Sequence, residues 1–182
     1  MALIVEDGSC VAAANAFVTR AALIAYATDY YPGTTVPDDE TVDAAIMRGS
    51  LWLSTFPIWD GSMTCGRGLQ GLAWPRTGVT DCNGDSIPDD EVPIEVQQAT
   101  YLAALAEHAN PGILSPTITP GEQVKRVKVD VIEQEFMTPN DQGLSSKDTV
   151  AMLRPVLTAV ADLLKCLSTM PDGKTVPWPW VA

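Results

Sequence analysis

The segment from Pro37 to Pro57, PDDETVDAAIMRGSLWLSTFP, carries a whole helix together with its start and stop signals. Asp38 or Asp39 supplies the N-cap and acids fill the first turn, where the helix dipole favours negative charge. Val42, Ile46, Gly49, Leu53 and Phe56 then recur at helical spacing until Pro57, and Trp52 widens the apolar stripe. Upstream, Thr19 predicts a cap for a helix from about Arg20 to Asp29, with Leu23, Tyr26, Ala27 and Tyr30 on one side and Pro32-Gly33 as the stop. Downstream, Pro93 suits a first helical position, and Asn110-Pro111-Gly112 ends the helix it opens. The interior of that helix is rich in alanine, which favours close packing against a neighbour.

The pattern changes from Val124 to Phe136. Val127, Val129 and Val131 alternate with Lys128 and Asp130, and Ile132, Gln134 and Phe136 then alternate in the opposite phase. A phase slip of this kind predicts a turn or bulge, so the segment reads as a β-hairpin. A last helix is expected from a cap at Ser145 or Ser146, with Val150, Leu153, Leu157, Val160, Leu164 and Leu167 as its seam. Pro155 requires that helix to kink or restart. Ala2 to Val5 reads as a short strand or arm. The other end, Val176-Pro177-Trp178-Pro179-Trp180, favours an extended course and sets two tryptophans in search of a groove. The expected fold is mainly α: a small bundle of about four helices with a β-hairpin and extended N- and C-terminal arms. The expected organisation is a domain over residues 1–167 followed by a Pro/Trp-rich tail over 168–182.

A chain of 182 residues can bury a real core. Its net charge of −12 disfavours a plain electrostatic grip on nucleic acid, because phosphate binding works through Lys and Arg displacing counterions. Only Lys125, Arg126 and Lys128 cluster. Cys10, Cys65, Cys82 and Cys166 form no C-x-x-C pair and the chain has a single His, so the cysteines read as free thiols in a reducing cytosol. Four apolar residues before Glu6 are too few for a signal-peptide core, and no run approaches the roughly 20 apolar residues of a membrane span. The expectation is a soluble, unexported protein.

Between the second and third helices lies LAWPRTGVTDCNGDSIPDDEVP, Leu72 to Pro93, whose prolines and glycines hold a single irregular path. No catalytic constellation occurs here or elsewhere. The chain lacks G-x-S-x-G, a phosphate loop ending in Lys-Ser or Lys-Thr, and H-E-x-x-H, so no enzyme activity and no cofactor is expected. Gly66-Arg67-Gly68 reads as a surface turn. Asp81-x-Asn83-x-Asp85 matches the first three ligand positions of a calcium loop, but Ser86 stands where the turn glycine belongs and Val92 where the bidentate Glu belongs. Asp and Asn also build turns unaided, through side-chain bonds to the backbone.

The run GLAWPRTGVTDCNGDSIPDDEVPIEVQQA resembles the signature segment of tailed-phage proteins often labelled "DnaT-like". The start, Ala2 to Gly8 followed by Asn15-Ala16-Phe17-Val18, and the strand from Val124 to Val129 resemble the same family. The resemblance is read as implying a head-to-tail adaptor, a structural virion protein at the portal vertex. Its implied partners are the portal protein, a stopper or tail-completion protein and itself, as a ring of about twelve copies around packaged DNA, with no membrane. The expected contact residues are Trp74, Pro75 and Arg76, then Lys128, Asp130 and Ile132 of the hairpin, then Trp178 and Trp180. Burial of Trp74 in its own domain is the alternative. The rival function, implied by the family label, is a single-stranded DNA-binding protein of phage replication.

Overall fold

The computed structural model describes residues 2–66, 68–115, 124–128, 133–136 and 157–169. Among them are four helices, α1 (Arg20–Tyr30), α2 (Glu40–Thr55), α3 (Ile94–Ala109) and α4 (Thr158–Leu164), and three short antiparallel strand pairs. β1 (Ile58–Trp59) pairs with β6 (Ser168–Thr169), β2 (Ser62–Met63) with β3 (Arg76–Thr77), and β4 (Val124–Lys128) with β5 (Glu133–Phe136). The protein is mainly α with a small hairpin. It divides into two units: Met1–Leu114 with Val156–Ala182, and Ser115–Pro155. No helix among the described residues is long and apolar enough to cross a membrane.

In the first unit, α2 is the hub. Thr41 donates its backbone N–H to the Asp39 side chain, which caps the helix as its sequence predicts. Val42, Ala45, Ile46 and Leu53 are fully buried along the core face. Gly49 lies where α3 crosses: a Cβ placed there would stand 3.1 Å from the Ala104 backbone nitrogen and 3.5 Å from the Ala103 Cβ. Glycine on one helix and alanine on the other thus allow the backbones to approach, which explains the alanine-rich interior of α3. Two α2 hydroxyls hold the irregular chain around it. Ser50 Oγ accepts the Phe17 N–H at 3.1 Å, and Ser54 Oγ accepts that of Ala73 at 3.2 Å.

Ionic contacts join α1 and α3 to α2. Arg20, at the start of α1, forks onto the nearly buried Asp43 carboxylate with bonds of 2.7 and 2.6 Å and also reaches Asp38 at 2.8 Å. These two carboxylates, Asp43 foremost, raise the pKa of the guanidinium against its partial desolvation. Arg48 pairs with Glu107 of α3 at 2.7 Å. The Glu107 carboxylate is almost wholly buried and also accepts the N–H groups of Gly112 and Leu114, so it fixes the turn that ends α3. At the other end of α3, Pro93 is the N-cap and Ile94 the first helical residue, one place later than its sequence suggests.

The predicted hairpin is present. Its register places Val124 opposite Phe136, Arg126 opposite Glu135, Val127 opposite Gln134 and Lys128 opposite Glu133, with an irregularity between Val124 and Arg126. Residues 129–132, with the predicted phase slip, lie outside the described residues. So do residues 145–156, which include the expected cap and Pro155 of the last helix, and the tail beyond 169. The described part of that helix begins at Thr158 and buries Val160 and Leu164 against the core.

The free-thiol expectation is corrected: Cys10 is disulfide-bonded to Cys65 and Cys82 to Cys166. With both pairs joined, the argument from thiols to a reducing cytosol falls. The partners are 55 and 84 residues apart, and each tethers a loop that the helices alone leave free. Cys10–Cys65 fixes the N-terminal turn, and Cys82–Cys166 fixes the loop after β3 to the end of α4.

Two outcomes follow. Gly49→Val should lower stability by about 1–3 kcal/mol by forcing α2 and α3 apart, read as a fall in thermal midpoint; an unchanged midpoint contradicts close helix contact at this glycine. Thiol titration of the unreduced, denatured protein should find no free cysteine. Reduction should then cost about 2–4 kcal/mol per bridge, whereas four reactive thiols before reduction contradict the pairing.

Candidate nucleic-acid interface

The segment from Leu72 to Pro93 buries its two ends, residues 72–76 and 92–93, together with Val79, while most of residues 77–91 is exposed. Trp74 is fully buried and joined to Pro75 by a cis peptide bond, and its ring meets Trp59 edge to face at 5.5 Å. Trp59 in turn donates its indole N–H to the Leu53 carbonyl at the end of α2. The Trp74 indole N–H has no hydrogen-bond partner among the described residues. Arg76 is buried as well. Its guanidinium donates to the carbonyls of Asp60 (Nε, 2.7 Å), Gly61 (Nη2, 2.8 Å) and Ala73 (Nη1, 3.1 Å). Burial pulls its pKa down and the nearby Asp60 charge opposes that. Gln70 completes the scaffold by donating to the carbonyls of Leu72 and Pro75. Gly61, at φ +64°, lets the two chains meet where a Cβ would stand 2.3 Å from the Thr77 carbonyl oxygen.

Trp74, Pro75 and Arg76 therefore lie in the interior of the first unit, the alternative that the sequence left open for Trp74. Lys128 is the last residue of β4. Asp130, Ile132, Trp178 and Trp180 lie outside the described residues. The loop from Asp81 to Asp85 is a self-contained turn. Asp81 Oδ1 accepts the N–H groups of Asn83 at 2.8 Å and Asp85 at 2.9 Å, and Oδ2 accepts the Asn83 amide at 3.2 Å. These bonds, that from Asp85 first, hold the Asp81 carboxyl below its ordinary pKa. The carboxylate that would open a calcium loop is spent on its own backbone, and no group of three or more His, Cys, Asp or Glu among the described residues is placed to hold a metal.

Charge is unevenly spread. Residues 115–155 hold Lys125, Arg126, Lys128, Lys147 and Arg154 against six acids, so nearly all of the net −12 belongs to the first unit. There, Arg20, Arg48 and Arg76 are each committed to structural partners. The densest basic run is in β4, where Arg126 and Lys128 stand across from Glu135 and Glu133 in the strand register.

One aromatic surface was not singled out in the sequence. Tyr101 of α3, at the edge of the core, stacks on Tyr26 with centroids 4.7 Å apart and planes 27° apart. Tyr26 stacks on Tyr30, four residues along α1, at 4.5 Å and 24°. Tyr31 caps α1 by donating its N–H to the Ala27 carbonyl, and its ring tilts at 52° to that of Tyr26. Burial, followed by the neighbouring phenols of Tyr31, Tyr30 and Tyr101, pushes the Tyr26 pKa up. The i,i+4 spacing of Tyr26 and Tyr30 was readable as a helix face. The third ring, 75 positions away from Tyr26 along the chain, was not.

With a mainly helical first unit and a small hairpin in the second, the chain falls among α-rich proteins with local β structure. Residues 1–173 match the family described as "Putative DnaT-like ssDNA binding protein", and the chain belongs to that family. No curated protein and no solved structure matches it. Membership corrects the adaptor reading. The matching family is one described by single-stranded DNA binding and not by head-to-tail joining, so the expected virion location, ring of about twelve copies, portal and stopper or tail-completion partners are set aside.

Proposed function

We propose that this protein binds single-stranded DNA, acting as a binding protein without catalytic turnover. Membership of the DnaT-like family over residues 1–173 carries the reading. The chemistry of the first unit supports the second half of it. Its buried carboxylates are used in building the fold: Glu6 accepts the N–H groups of Gly8, Cys10 and Val11, Asp43 holds Arg20, and Glu107 holds Arg48 and the α3 turn. Ser50 and Ser54 accept backbone N–H groups, and His108 sits in the last turn of α3.

An acidic DNA-binding protein must confine its phosphate contacts. Arg20, Arg48 and Arg76 are committed to the fold, and the densest basic run of the sequence, Lys125, Arg126 and Lys128 of β4, suits that task. Three phosphate contacts on a single strand give a salt dependence of about −2 in log K against log salt. This is a shallow slope, and it distinguishes a local cationic contact plus uncharged contacts from a broad electrostatic groove.

Binding of a labelled oligo(dT) strand to the intact protein, measured across a salt series, should show retention at low salt with a slope near −2 and weaker binding of duplex of the same length. Replacing Lys125, Arg126 and Lys128 together by Gln should weaken binding and flatten the slope. Absence of binding at low salt would overturn the reading, and an unchanged slope in the triple variant would remove β4 from it.

A further inference from the structure

We infer that the outer face of Tyr30, at the open end of the Tyr101–Tyr26–Tyr30 ladder and beside Tyr31, stacks an unpaired base of single-stranded DNA. The inference rests on the DNA-binding reading above and gives it a base-contacting site. Three features of the ladder support it. The rings are near-parallel, with centroid spacings of 4.7 and 4.5 Å, so the group that continues the series is another flat π-system. The ladder is held rigid from within, because Tyr101 is buried at its root while Tyr30 is 64% exposed and Tyr31 41% exposed. A stacking surface fixed before binding loses little freedom when a base docks. The surrounding sequence, Ala21 to Gly33, contains Asp29 and no Lys or Arg. This stretch brings no cation of its own to a phosphate, and the uncharged base is the part of a nucleotide that its rings suit. Base stacking on aromatic rings tolerates every sequence because every base has a π-face.

A base held this way contributes affinity that salt does not remove, which answers how a chain of net charge −12 retains a polyanion. The duplex keeps its bases paired and stacked on one another, so the same surface favours single strands over double.

The test uses the full chain, labelled oligo(dT), and an abasic strand of the same length and charge. Tyr30→Ala should weaken oligo(dT) binding on the order of ten-fold with an unchanged salt slope. Tyr30→Phe and Tyr30→Trp should bind as the parent or tighter. The Ala variant should lose nothing on the abasic strand, which the parent itself should bind about as weakly as Tyr30→Ala binds oligo(dT). Thermal midpoints of the Tyr30 variants should stay at the parent value, as expected for an exposed side chain, and Tyr31→Ala supplies a second, weaker loss. If Tyr30→Ala binds oligo(dT) as well as the parent does, the stacking site is wrong while DNA binding stands. If the parent binds neither strand, both fail. If a lysine-rich peptide is captured in a Tyr30-dependent way and oligo(dT) is not, the face recognises cations and the inference is overturned.

Discussion

The buried guanidinium of Arg76 is the constraint on which the connection between α2 and α3 depends. That connection has almost no regular structure, only two-residue strands, and its carbonyls cannot be satisfied by a ladder. Arg76 satisfies three of them at once, from Asp60, Gly61 and Ala73, and so brings the turn after α2 against the chain that follows Trp74. A planar fork with five donors suits this task; an ammonium offers a single point of charge. Once the two strands of chain are fixed, Trp74 is held in the core against Trp59, β2 meets β3, and Leu167 accepts the Asp60 N–H so that β6 can return to β1. Beyond Arg76 the chain is a surface loop, exposed over most of residues 77–91, and the arginine draws only its start inward.

The same economy governs the other charges. Asp43, Glu107 and Glu6 are buried carboxylates, each enclosed by hydrogen bonds from an arginine, from backbone N–H groups or from both. A buried carboxylate is tolerable only when so enclosed. Arg20 and Arg48 spend their charge on these partners. An excess of acid therefore remains on the outside of the first unit, and the DNA binding proposed above cannot come from its overall field. The proposal rests instead on local groups, the basic run of β4 and the exposed tyrosines at the end of α1. They work by different physics, one sensitive to salt and one not, which makes their contributions separable.

Helix positions were legible in the sequence because their signals are local. Thr19 and Asp39 cap α1 and α2 where the residue pattern places them, and the alternation from Val124 forms the expected hairpin. The inward turn of Trp74, Pro75 and Arg76 was less legible, since Pro and Gly announce an irregular path without saying which side faces the core. The disulfides were not legible at all. Cys10 and Cys65, or Cys82 and Cys166, meet only because the loops carrying them converge in three dimensions, and spacing alone cannot pair distant cysteines. The tyrosine ladder was half visible, two rings from one helix and the third supplied by α3. The motif from Gly71 onward was read as that of a head-to-tail adaptor family, and the match to the family described as "Putative DnaT-like ssDNA binding protein" overturns that reading.

The most direct test of this account is the stability of the Arg76→Ala variant in chemical denaturation, with Arg76→Lys beside it. If the guanidinium organises the connection, Arg76→Ala should lose at least about 3 kcal/mol, because several charge-assisted bonds vanish and leave buried carbonyls unpaired. Arg76→Lys should recover only a small part of the loss. A change in Arg76→Ala within about 0.5 kcal/mol, the range of ordinary surface substitutions, would contradict the central role of this residue and return the segment to the surface.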